Sequence, residues 1–96
     1  MSVLQIEHAI SDFEVWKRAF DADPLQREES GVRSYRVFRP LDDAQYVKLE
    51  LEFDTPAEAE AFHLKLQGLW RSGRAAPALS GSGQARIVEL VQFETY

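Results

Sequence analysis

Ninety-six residues make one domain with room for a single modest core. Sixteen acidic residues against eleven basic leave a net charge of -5, which argues against a phosphate-neutralising surface for nucleic acid. No cysteine is present, so disulfides, thiolate nucleophiles and cysteine metal sites are excluded.

The start, Met1 to His8, lacks the basic residues and long apolar run of a signal peptide. No apolar run approaches the roughly 20 residues that span a bilayer. The expectation is a cytoplasmic protein with neither nucleic acid nor membrane as partner.

In chain order, residues 3–9 alternate. Leu4, Ile6 and His8 share one face and Gln5 and Glu7 the other, which predicts a strand with one buried side. Ser11, with Glu14 three residues on, predicts a capping box, and Asp12 stabilises the first turn behind it. Phe13, Trp16 and Phe20 then give a helix with an aromatic stripe. Asp23-Pro24, followed by Gln26, predicts a short second helical turn from Pro24 to about Ser30, ended by Gly31 in a left-handed conformation.

Residues 32–39 read as a strand with Tyr35 and Val37 on one face and Ser34 and Arg36 on the other. Pro40 to Gln45 is a turn. Residues 46–53 alternate strictly, with Val47, Leu49, Leu51 and Phe53 opposite Lys48, Glu50 and Glu52, so the two strands form a hairpin. If Pro40 opposes Tyr46, Arg36 lies across from Glu50.

Thr55-Pro56-Ala57-Glu58 is the clearest helix start: a capping threonine, proline at the first position and glutamate at the third. Ala59, Phe62, Leu66 and Leu69 form its core stripe, Trp70 borders it, and Ser72-Gly73 stops it. Residues 74–83 read as a loop and residues 85–93 as the last strand.

The order βαββαβ is the split βαβ, ferredoxin-like α+β pattern: a four-stranded antiparallel sheet with two helices on one face. The other sheet face, with Gln5, Glu7, Ser34, Arg36, Lys48, Glu50 and Glu52, has nothing in this chain to cover it. It is either a solvated face or one closed by a second subunit.

One run carries a family resemblance: His8, Ile10, Asp12, Phe13, Trp16, Lys17, Phe20 and Asp21, then Arg27, Gly31, Arg36-Val37-Phe38-Arg39, Asp42-Asp43 and Glu52-Phe53-Asp54-Thr55-Pro56-Ala57-Glu58-Ala59. The pattern resembles the dimeric α+β barrel superfamily, which includes antibiotic-biosynthesis-type monooxygenases, and within it a mostly uncharacterised branch. The likeness covers nearly the whole chain and departs after Trp70. It implies a homodimeric barrel that binds a small aromatic or polyketide-like molecule, with cofactor-independent monooxygenase or cyclase-like chemistry. The alternative is a non-catalytic dimerisation or regulatory module with no ligand. An enclosed pocket touching His8 and Trp16 separates the two.

Among the residues themselves, His8 is the candidate catalytic group, set against a histidine hydrogen-bonded at the core edge. Trp16, Phe20, Tyr35, Phe62 and Trp70 form an aromatic cluster. Phe20 and Phe62 are read as core, and Trp16, Tyr35 and Trp70 as ligand-binding candidates. Arg27 either anchors an anionic ligand or pairs with Asp21 or Asp23. His63 falls on the polar arc of the second helix. Two histidines on separate elements make no metal motif, so neither metal nor other cofactor is expected.

Overall fold

Strand β1 (Ser2–Ile10) runs along the middle of the molecule in the computed structural model, which describes residues 1–96 apart from the side chain of Ser82. Helix α1 (Phe13–Asp21) follows, then β2 (Val32–Phe38), β3 (Tyr46–Phe53), α2 (Pro56–Ser72) and β4 (Leu79–Glu89). The sheet has four antiparallel strands in the order β2-β3-β1-β4. This is the ferredoxin-like α+β arrangement that the element order predicts.

The alternation sets the layers. Leu4, Ile6, His8, Val47, Leu49, Leu51 and Phe53 are buried on the helix side. Ala59, Phe62 and Leu66 of α2 meet them, and the Phe53 and Phe62 rings lie 5.6 Å apart. Leu69 and Trp70 are only half-buried. Helix α1 presents Trp16 inward, with Phe13 and Phe20 half-buried beside it. Its backbone stands farther from the sheet than that of α2.

The other face of the sheet has no layer above it, and its charges satisfy one another. Arg36 opposes Glu50, as the predicted register requires, and its guanidinium lies 2.5 Å from the carboxylate. Gln5 donates to the same carboxylate at 3.1 Å, Ser34 to Glu52 at 2.7 Å and Tyr46 to Glu7 at 2.8 Å. The bond to Glu7 holds the Tyr46 phenol protonated beyond its ordinary pKa of 10.0.

Four expectations need correction. The N-cap of α1 is Asp12, not Ser11: the Asp12 carboxylate accepts from Val15 N–H at 3.1 Å, while the Ser11 hydroxyl donates to the Pro77 carbonyl at 2.8 Å. Ser11 is thus drawn away from the helix by a contact distant in sequence. Residues 24–30 form turns rather than a helix, because Asp23 (φ 55°) and Gln26 (φ 51°) adopt left-handed backbone. Gly31 (φ 101°) is left-handed as expected.

The remaining two concern the C-terminal third. The stretch expected as a loop over 74–83 turns only as far as Ala78, and β4 begins at Leu79, which pairs with Ile10. The last strand ends at Glu89, opposite Ser2, not at residue 93. Beyond it Val91, Phe93 and Tyr96 project into solvent, since β1 offers no further partner.

Candidate functional site

The standing-off of α1 leaves a cavity of about 300 Å³ between the helices and the sheet. Its floor is Ile6, Val47, Leu49 and Leu51, and its walls include Trp16, Phe62, Leu66 and Trp70. Four charged or titratable side chains reach it: His8, Asp23, Arg27 and Arg74. An apolar space with few polar groups is the usual make-up of a small-molecule site.

His8 is 4 % exposed and points to the helix side because it shares the parity of Leu4 and Ile6. Its Nδ1 lies 2.6 Å from the Ala9 carbonyl oxygen. The ring meets Trp70 edge to face, with centroids 5.3 Å apart. Below the ring is Gly83. A methyl group there would stand 2.8 Å from Trp70 Cη2 and 3.0 Å from His8 Nε2, and would collide with His8 Cδ2. Only a glycine fits beneath this histidine without displacing one of the two rings.

The candidate residues separate into two groups. His8, Trp16, Arg27 and Trp70 all line the cavity, and Tyr35 does not. Tyr35 lies on the helix-side face of β2, opposite Leu51, but β2 is an edge strand and the ring stays half out in solvent. It packs edge-on against Phe20 at 5.1 Å, and Phe20 stacks on Trp16 at 4.9 Å. The predicted aromatic cluster is therefore a chain, Trp16–Phe20–Tyr35, with the His8–Trp70 and Phe53–Phe62 pairs apart from it. His63 is half-buried on α2 and outside the cavity lining.

Arg27 takes the pairing role that the sequence left open, and its partner is Asp23. One Asp23 oxygen accepts from Arg27 N–H at 2.9 Å and sits 3.4 Å from the guanidinium. The guanidinium also donates to the Phe20 carbonyl at 2.7 Å and lies 3.8 Å over the Phe20 ring. Arg27 thus staples the turn segment to the end of α1 at the edge of the cavity. Asp21 pairs instead with Lys17, at 2.6 Å.

Sequence reasoning missed two contributors: Gly83, which fell in the expected loop, and Arg74, which carries no pattern; Asp23 was already a candidate partner of Arg27. The glycine alone left a signal, since Gly81-Ser82-Gly83 inside an otherwise strand-forming stretch marks a bulge. Among the described residues no group of three or more histidine or acidic side chains is arranged to hold a metal ion. No helix is long and apolar enough to cross a membrane.

No protein-family profile matches the chain, and no curated protein matches it in sequence. Solved structures do match in fold. A provisionally assigned antibiotic biosynthesis monooxygenase from Nitrosomonas europaea superposes with a TM-score of 0.62 at 18% identity, over 96% of this chain and 100% of its own. A protein of the same description from Bordetella bronchiseptica gives 0.71 at 9% identity, over 95% and 98%. A dimeric ferredoxin-like protein from an uncultured marine organism gives 0.62 at 12% identity, over 97% and 98%. At these identities the likeness is one of architecture: the chain has the ferredoxin-like α+β fold found in monooxygenase-like proteins.

Proposed function

We propose that this chain forms a homodimeric α+β barrel and binds a small aromatic or polyketide-like molecule in the cavity between helices and sheet. The chemistry that such a site supports is cofactor-independent, of a monooxygenase or cyclase kind, with His8 as its acid–base group.

The observation that carries the reading is the cavity itself. A dimerisation module without a ligand fills the space between helices and sheet with side chains. Here about 300 Å³ stays open, lined by Trp16 and Trp70 and reached by the imidazole of His8. That volume lies at the small end of the roughly 300–1,000 Å³ typical of ligand sites, so it suits a compact ring system.

The dimer is supported by what the single chain leaves uncovered. The open face carries Glu7, Glu50 and Glu52 against Arg36, Lys48 and Arg86, so a second copy meets no excess of one sign. Beyond the end of β4, Val91 and Phe93 add exposed apolar surface. A specific dimer buries at least ~1,200 Å² in total.

Two measurements test the proposal. Native mass spectrometry should give twice the 11.0 kDa chain mass, and a monomer at micromolar concentration refutes the barrel. A thermal-shift screen of aromatic acids, phenols and quinones should find a stabilising ligand. At 100 times its Kd such a ligand adds ~2.7 kcal/mol, which His8→Ala should abolish while the fold survives. If no compound shifts the wild type and His8→Ala unfolds it, His8 is a structural residue and the binding reading fails.

A further inference from the structure

His8 sits where the β1–β4 ladder is interrupted. Glu7 pairs with Gln84 and Ala9 with Ser80, so residues 81–83 of β4 stand opposite His8 alone. Irregularities of this kind re-aim side chains and recur beside functional sites. The extra residues bring Gly83 under the imidazole, and Trp70 closes in from the side.

The ring's hydrogen is placed by its neighbour. Nδ1 lies 2.6 Å from the Ala9 carbonyl oxygen, and a carbonyl oxygen only accepts. Nδ1 therefore carries the hydrogen, and in the neutral imidazole Nε2 is left as a bare acceptor. Among the described residues nothing donates to Nε2, and no buried side-chain nitrogen is left sealed without a partner. His8 lines the cavity, and Nε2 is its ring nitrogen without a described partner.

Resting on the cavity-binding reading above, we infer that the ligand is a hydrogen-bond donor at this point: a phenol or enol whose O–H is given to Nε2 of His8. An ether, a ketone or an ionised carboxylate brings only lone pairs to the same place. It leaves Nε2 unpaired in a site that ligand entry has just dried, and that mismatch is costly. Sites built to pair a hydroxyl discriminate strongly against the analogue that lacks it. Arg74 is exposed at the cavity edge, outside the apolar floor, so it does not reverse the preference at His8.

The test uses the full-length protein and three probes of one ring size: 1-naphthol, 1-methoxynaphthalene and 1-naphthoate. Long-range proton–nitrogen NMR on the ligand-free protein at mildly alkaline pH should show Nδ1 protonated and Nε2 bare. Titration followed by tryptophan fluorescence should show 1-naphthol binding roughly tenfold or more tighter than its methyl ether, the value of one neutral hydrogen bond. Gly83→Ala, checked by circular dichroism for an intact fold, should push the ring aside and erase that preference. An Nε2–H tautomer, equal binding of naphthol and ether, or tighter binding of naphthoate overturns the inference while leaving the cavity reading standing. Binding of none of the three overturns both.

Discussion

The space beneath the two helices is filled under the first turns of α2 and open under α1. Phe53 and Ala59 are fully buried beside the Phe62 ring, while Phe62 and Leu66 also wall the cavity. Beneath α1, Trp16 and Phe20 stack along the helix, and a cavity remains between them and the floor of β1 and β3. Both helices are amphipathic and both are capped by a side chain, Asp12 in α1 and Thr55 in α2. The difference lies in the packing side chains. The stripe of α2 mixes small and large residues, with Ala59 letting the helix approach. The stripe of α1 is all large rings, and three rings in a row hold a backbone away from the sheet.

Mutations can sharpen that contrast. Phe62→Ala removes a buried ring that packs on Phe53 and walls the cavity from the α2 side, and should cost roughly 3–5 kcal/mol in urea unfolding; a loss below ~1 kcal/mol shows that the α2 side is as loosely packed as the α1 side. Gly83→Ala adds one methyl under His8 and should cost about 1–3 kcal/mol, because two rings must shift to admit it. A neutral result means that the cavity yields space freely. Arg36→Ala lies on the other face of the same sheet, where a cross-strand ion pair is exposed, and should cost no more than about 1 kcal/mol.

The smallest effect is one of pH. Tyr46 is protonated more firmly in the folded chain, through its bond to Glu7, than in the unfolded one. Its contribution to stability is therefore complete below its ordinary pKa of 10.0 and is lost as pH rises past the folded value. Ultraviolet titration of the phenols should find one late-ionising tyrosine that disappears in Tyr46→Phe. A tyrosine ionising early, or no change in that variant, contradicts the bond.

Strands β1 to β3 and helix α2 were legible because each carries its whole signal locally: alternation for the strands, a Thr-Pro-x-Glu start for the helix. The register of the hairpin followed from its turn alone. What could not be read depended on distant partners. Ser11 and Asp12 are both good caps, and the choice between them was made by the Pro77 carbonyl, 66 residues away. The ends of β4 were set by where Ile10 and Ser2 stand, not by its own residues. At the site, parity alone aimed His8 inward, and helical spacing placed Trp16 and Trp70. The glycines at 81 and 83 hint at a bulge, but the contact of Gly83 with His8 could not be read, because it depends on a shift of register between β1 and β4.

The turn between α1 and β2 has one more consequence. Asp23 and Gln26 hold left-handed backbone that costs an ordinary side chain roughly 1–2 kcal/mol. Asp23 recovers part of that cost through its bond to the Arg27 amide, whereas Gln26 has no described side-chain hydrogen bond to set against it. A laboratory selection for heat resistance should therefore accept glycine at 26 and reject it at 23. At position 26 the more pliable residue gives the sturdier protein, and two strained positions only three residues apart have opposite evolutionary prospects.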